Sequence, residues 1–495
     1  MSRRGAEKTH IMKNTKHTLR ILRPLRLCAS VVIISAFSAS ASLAGSKATI
    51  TAEPPTPRNL LSFADGTVVF DVEERLRYEF RSNTFDFNNG VGAPTDGSFL
   101  LQRARVGVKI EPLSWLRLYG QFQSSIEVGN RGDEPGVFGA EGDDYADLYQ
   151  AYVEFADYKQ FPLGLKVGRQ LFNYGDQRLV GSFDWNNLGR TFDAVRLRYE
   201  RERFWMEVFA SSVVVVERES FNTSDLFNWD DTGREQVFSG LYASSTQVPM
   251  HKIDAYAFWL SQANGNVSNF GPTLGIPPAG SRGGNPALGM NFVTLGTRFN
   301  NLPKEMGGWE YDGEFAVQAG ELAGLDLAAF AAHAGAGYNF SLPWSPRIYL
   351  QYNYASGDNV PGDGRSTTFQ NLFPTNHKFY GYMDLFSWQN MHNPSVTVSA
   401  KPHETLTVAA DLNLIWLATT NDAWYRANGL SQARRVTPGA NPFVGTEIDL
   451  TATWRPTKNF SLHAGYSWFL AGNYVRDTGP ASPADFLYLQ AEVKF

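Results

Sequence analysis

From Phe70 to Arg81 the chain places ionisable and apolar residues almost strictly by turns. In an extended strand successive side chains point to opposite sides, so Asp71, Glu73, Arg75, Arg77, Glu79 and Arg81 share one face. Phe70, Val72, Leu76, Tyr78 and Phe80 share the other. Glu74 is out of step on the apolar face, and it is expected near a rim. A water-facing sandwich has no use for an unbroken row of charges on one side of a strand. A sheet with one face on hydrocarbon and the other around a polar lumen requires that pattern.

The same alternation continues. Ala104, Val106, Val108 and Ile110 oppose Arg103, Arg105 and Lys109, and Glu111-Pro112-Leu113-Ser114 reads as a short turn. Leu116, Leu118, Phe122, Ile126 and Val128 then alternate with Arg117, Tyr119, Gln121, Gln123 and Glu127. Short turns of this kind alternate with long Gly/Asp/Asn-rich loops at 129–144, 217–235, 261–290, 357–378 and 418–444, the asymmetry of periplasmic turns and extracellular loops. The chain ends on an alternating strand, Leu487 to Phe495, whose terminal aromatic is of the kind read by the outer-membrane insertion machinery. Counting strand-like segments after residue 66 predicts an all-β transmembrane antiparallel barrel of about 18 strands. The alternation is weakest in strands eight to ten and in strand fourteen, so 16 stays open. No blade-length repeat supports a propeller.

Residues 1–44 read as a cleaved signal peptide: Lys13, Lys16, Arg20, Arg23 and Arg26, then an apolar stretch from Leu27 to Phe37, then small residues. Met12 is an alternative start. The mature chain is expected to begin near Ser42 or Gly45, with residues 45–65 a short periplasmic segment and 66–495 the barrel. The only cysteine, Cys28, lies in the leader, which removes disulfide and thiol chemistry from the rest. Without residues 1–44 the chain has 36 basic against 48 acidic residues, a balance that argues against a nucleic-acid partner.

Two stretches are more specific. One runs Gly168-Arg169-Gln170, Tyr174-Gly175-Asp176-Gln177-Arg178-Leu179-Val180-Gly181, Asp184-Trp185-Asn186-Asn187 and Arg190-Thr191-Phe192-Asp193-Ala194-Val195-Arg196. The other runs Tyr354-Ala355-Ser356-Gly357-Asp358, Thr368-Phe369, Leu372-Phe373-Pro374, His377, Tyr380-Gly381 and Gln389-Asn390. Together with Gly445-Thr446-Glu447-Ile448-Asp449 and Gly465-Tyr466, they resemble the alginate export family of outer-membrane proteins. That resemblance implies an 18-stranded barrel and an arginine-lined channel for a polyuronate.

Read from its residues, the first motif is a strand, a tight loop and a returning strand, in which Arg169, Arg178, Asp184, Arg190 and Asp193 can pair inside the mouth. The phase from Lys166 to Leu171 puts Arg169 on the apolar side, which predicts a β-bulge there. The candidate lumen set is Arg75, Arg77, Arg81, Arg103, Arg105, Lys109, Arg117, Arg169, Arg178, Asp193, Arg196 and Arg347. Asp312, Glu314, Asp411, Glu447 and Asp449 fall inward on later strands, so one wall should be basic and another acidic. An alternative reading pairs these charges with one another across a plugged lumen.

Scattered histidines (His251, His333, His377, His392, His403, His463) show no metal-ligand spacing, and no nucleophile elbow or phosphate loop appears. Asp133, Glu134, Glu141, Asp143 and Asp144 read as a solvated acidic loop rather than a cation site. The expectation is therefore a passive, anion-preferring outer-membrane channel without catalytic residues, metal or cofactor. Its partners would be an anionic polysaccharide or acidic sugar, outer-membrane lipid, and the insertion machinery that meets Phe495. An uptake porin for small anions or oligosaccharides, a barrel enzyme and an adhesin are the alternatives.

Overall fold

Eighteen antiparallel strands follow one another in chain order, each bonded to its neighbours: β1 (Val68–Ser82), β2 (Gly97–Leu113), β3 (Leu116–Asn130), β4 (Asp144–Ala156), β5 (Leu163–Gln170), β6 (Phe192–Arg201), β7 (Phe204–Val213), β8 (Gln236–Ser245), β9 (His251–Gln262), β10 (Met290–Asn301), β11 (Trp309–Leu322), β12 (Leu325–Asn339), β13 (Arg347–Ala355), β14 (Met391–His403), β15 (Leu406–Leu417), β16 (Phe443–Thr457), β17 (Phe460–Ala471) and β18 (Ala484–Lys494). This computed structural model describes residues 61–90, 96–130, 142–216, 221–224, 226, 236–262, 288–301, 306–429 and 434–495. The expected leader with Cys28, most of segment 45–65, and Asp133, Glu134 and Glu141 lie outside the described residues.

Strand β1 pairs with β18 from Glu73↔Lys494 to Ser82↔Asp485, which closes the sheet and decides for 18 strands. Closure leaves no edge and satisfies the backbone polar groups that hydrocarbon cannot. At one end the strands are joined tightly, as at Ser114-Trp115, Glu202-Arg203, Glu404-Thr405 and Lys458-Asn459. Most long connections lie at the other end; the exception there is Ala323-Gly324, both at positive φ, which turns β11 into β12.

The outer surface is apolar and ringed by aromatics. Trp115, Phe155, Trp309, Trp344, Trp454 and Phe495 are exposed toward the short-turn end, and Tyr78, Tyr145, Trp259 and Trp468 toward the other. Such girdles mark the two membrane interfaces. Among the described residues no helix is long and apolar enough to cross a membrane.

Two local expectations need correction. Glu74 does not sit at a rim: it lies on the lipid-facing phase midway between the exposed rings of Phe70 and Tyr78, where its carboxylate accepts a hydrogen bond from Gln102 at 2.9 Å. Nor is there a bulge at Arg169. Strand β5 keeps regular register with β4 and β6, and the extra residue is Tyr149 in β4, where Gln121 faces Gln150 but Phe122 faces Leu148. Arg169 and Asp193 therefore stay in the phase of the exposed Val195 and Leu197 and do not face the lumen. They form a 2.9 Å ion pair instead, supplemented by the Leu148 and Asn222 carbonyls.

Strands β7 to β9 explain why alternation fades in mid-sequence. Their outward residues Val208, Val237 and Trp259 are apolar, but so are the inward Phe209, Phe238, Tyr242, Tyr256 and Phe258, all buried. Apolar residues on both faces mean that this part of the lumen is packed like a core.

Candidate functional site

The inward arginines form a wall, and a loop rests on it. Residues 171–191 connect β5 to β6 and turn into the barrel. Within them 183–189 make a lobe, its neck closed by the Arg190 N–H donating to the Ser182 carbonyl at 2.7 Å. Arg75 donates to the carbonyls of Asp184 (2.7 Å) and Asn186 (3.0 Å), and Arg77 to that of Trp185 (2.6 Å). Arg103 reaches the Asp184 and Asn186 carbonyls at 2.9 and 3.1 Å, while its other edge meets Glu73 at 2.5 Å. Arg103 and Arg105 also meet the Asp184 carboxylate at 3.0 and 2.8 Å. Burial pushes the Asp184 carboxyl up, but the guanidiniums of Arg103, Arg105 and Arg75 outweigh it and hold the group well below the usual carboxylate range. Arg105 lies over the bulged Tyr149 ring at 3.9 Å; Arg81 shares Glu79 with Arg77.

A second connection, 356–390 between β13 and β14, rests on the acidic wall. The Met383 N–H donates to Glu447 at 2.8 Å, and Gly381 (φ +106) lies so close to that carboxylate that a Cβ would meet it at 2.4 Å. Gln370 exchanges hydrogen bonds with Gln318 of β11 at 2.7 and 2.8 Å. Glu447 and Asp449 are consequently buried under their loop. A third connection, 418–442, packs Trp424 beneath the second, its indole N–H donating to the Leu385 carbonyl at 2.8 Å.

The first two connections hold each other. Val180 and Phe373 form a parallel bridge. Gly181 N–H donates to Phe373 and Phe373 N–H to Leu179, both at 2.8 Å, and Trp185 stacks on His377 at 3.8 Å. Beneath them is an aromatic core: Tyr174 stacks on Tyr242 at 4.4 Å, Phe172 on Phe192 at 4.9 Å, and Phe373 packs on Phe238 at 4.7 Å. Arg178 is buried in this plug, with Glu314 at 3.5 Å and the Phe379 ring at 4.1 Å. Burial also lowers the Lys378 ammonium from its ordinary range. The pairing expected within the first motif is thus realised only for Arg169–Asp193: Asp184 goes to the wall, Arg178 to Glu314, and Arg190 to the Gly181 and Pro374 carbonyls.

The remaining candidates form a more open ring toward the short-turn end. Arg117 bridges Glu111 and Glu154, both at 2.7 Å, and Lys109 reaches Glu111 at 2.9 Å. Arg196 meets Glu207 at 3.4 Å, and Arg347 meets Glu310 at 2.6 Å. Lys252, Lys494 and Arg198 belong to the same ring and were not singled out from sequence, although each has the inward phase. His333 is a wall residue between Asp312 and Asn353, both at 2.7 Å.

A closed barrel of eighteen strands, apolar outside, charged within and partly filled by its own loops, defines an outer-membrane channel of porin type. The chain matches the family model for alginate export over residues 67–488, almost the whole barrel, and belongs to that family. No curated protein matches it. Solved Pseudomonas aeruginosa barrels share the fold. OpdK, determined with vanillate, superimposes with a TM-score of 0.54 at 10% identity, covering 86% of this chain and 98% of its own. OpdO gives 0.53 at 14% identity (86% and 97% covered), and OpdL 0.52 at 12% (86% and 98%).

Proposed function

We propose that this channel passes anionic sugars of the polyuronate class outward across the outer membrane. The observation that carries this reading is an asymmetry within the ion pairs of the short-turn ring. Side-chain exposure is 49% for Lys494 against 11% for Glu73, 42% for Arg117 against 13% for Glu154, and 35% for Lys252 against 0% for Asp254. In these pairs the cationic half is turned toward the passage and the carboxylate lies behind it. The order reverses within the ring at Arg198–Glu200, 28% against 36%, and elsewhere at Asp176, at Asp184 and where Glu73 meets Arg103 and Arg105. Half-neutralised cations suit conduction, which needs binding weak enough to release, while guanidiniums still offer carboxylates a planar fork.

Uptake of small carboxylates is the second reading; it is favoured by the shared fold with OpdK, whose structure holds vanillate. Outer-membrane lipid covers the apolar belt, and the insertion machinery reads the C-terminal strand ending at Phe495. Reversal potentials in planar bilayers under a salt gradient test the solute reading. Anion preference is expected, reduced when Arg117 and Arg347 are changed to Ala and reversed when they and Lys109 become Glu. A cation-selective natural channel would overturn it.

A further inference from the structure

The contact between lobe 183–189 and the basic wall has an unusual composition. Five consecutive backbone carbonyls, Asp184 to Leu188, accept hydrogen bonds from side chains of β1 to β3. The donors are Arg75, Arg77, Arg103, Ser125 and Gln123. To these the lobe adds one carboxylate, Asp184, on Arg103 and Arg105. The wall thus receives an extended chain of oxygen acceptors with an acidic group at one end. A short run of linked acidic sugars offers the same kinds of group, oxygen acceptors along a chain, with a carboxylate on every sugar rather than at one end.

The lobe fills this wall incompletely. Arg75 is fully covered yet meets no carboxylate directly; its partners are two carbonyls and the Asn187 side-chain oxygen. Arg75 Nε, Arg77 Nη2 and Arg105 Nη2 are buried without any acceptor. Buried guanidinium N–H groups in this state are costly, and carboxylates satisfy them better than amide carbonyls do. Of the four arginines under the lobe, Arg77, Arg103 and Arg105 meet the carboxylates of Glu79, Glu73 and Asp184, and Arg75 meets none directly. The wall retains capacity for further negative charge.

The lobe is also built to leave as a unit. Its neck is anchored from outside the wall: Arg190 holds the Gly181 and Pro374 carbonyls at 3.1 and 2.9 Å, and Val180 lies in the pairing with Phe373. Within the lobe, Asn186 Oδ1 accepts from the Leu188 and Gly189 N–H groups at 2.8 and 3.2 Å, bonds that do not involve the wall, while Trp185 has also to unstack from His377. Gly189, at φ +71, sits where the lobe returns to its neck, a conformation that L side chains rarely adopt.

We propose that Asp184–Leu188 is a displaceable internal occupant of a carboxylate site on Arg75, Arg77, Arg103 and Arg105, and that an anionic sugar chain takes its place there. This rests on the anionic-solute reading above and adds to it a competition between solute and lobe. Opening of this part of the lumen is then driven by the solute: the lobe leaves the wall when carboxylates arrive.

The test is a single cysteine at Leu188, 2% exposed under the docked lobe, in the otherwise cysteine-free mature chain, with folding verified by heat-modifiable migration. Its reaction with a charged thiol reagent is followed with galacturonate trimer, with maltotriose or with neither, and bilayer current is recorded alongside. The trimer, and not maltotriose, should speed modification at least tenfold. In a separate variant, Asp184→Ala, loss of the competing carboxylate should lower the trimer concentration needed for half-effect on current by roughly tenfold, as expected for one charged hydrogen bond. If the trimer alters current but Leu188→Cys reacts no faster, the lobe is a fixed plug and the inference fails while the solute reading stands. If the trimer affects neither current nor reactivity, both fail.

Discussion

Phe373→Ala should loosen the plug without opening the barrel wall. Its ring is fully buried, 5.2 Å from Phe192 and 4.7 Å from Phe238, in the stretch where backbone hydrogen bonds link the first two in-folded connections. Truncating a fully buried Phe costs about 3–5 kcal/mol, edge-on ring contacts included. At about 1.4 kcal/mol per decade, that moves the balance between docked and undocked plug by a factor of roughly a hundred to a few thousand. Phe373 belongs to no barrel strand, so the 18-strand ladder keeps every one of its bonds. Planar-bilayer recording should show larger and noisier single-channel conductance, with the heat-modifiable fraction unchanged. Natural conductance and noise in a correctly folded variant would refute the claim that this core holds the lumen filled. Loss of the folded barrel would refute the claim that the plug is stabilised separately from the wall.

Three shorter predictions concern the wall. Glu154→Gln removes the carboxylate that Arg117 and Lys166 share at 2.7 and 3.5 Å, so reversal potentials should move toward stronger anion preference, most at low salt. Glu74→Leu replaces an acid on the lipid-facing phase and should stabilise the barrel by about 1–2 kcal/mol in denaturant titrations in lipid, given the cost of charge at that depth. Phe495 exchanges two backbone hydrogen bonds with Val72 across the closing seam, at 2.9 and 3.2 Å; its deletion should lower the yield of membrane-inserted barrel while leaving the conductance of assembled channels intact.

What sequence reveals here is set by the range of the interaction. The inward phase of Arg75, Arg77, Arg103 and Arg105 needs only the two-residue period of one strand, and it was legible. What those arginines hold was not, because Asp184 lies 79 to 109 residues away along the chain. No local pattern states that a loop motif will dock on that wall. The aromatic plug was hidden for a related reason: Phe209, Phe238 and Tyr242 erase the alternation of their strands, and that loss looked like a weak strand when it signals a packed lumen. Arg169 is legible as out of phase, but the structure answers with a partner at the strand end, Asp193, rather than with a bulge. Glu74 shows the converse, a single polar residue in the belt accommodated by one cross-strand amide.

Preference for anionic sugars is a property of the lumen that flux reads without an intermediary. Proteoliposomes carrying the channel, loaded with galacturonate trimer or with maltotriose of matched length, should release the charged trimer several times faster at low ionic strength. The ratio should fall as salt rises, since screening weakens the cationic halves of the wall pairs. Equal release of the two sugars, or faster release of the neutral one at every salt concentration, would contradict the account.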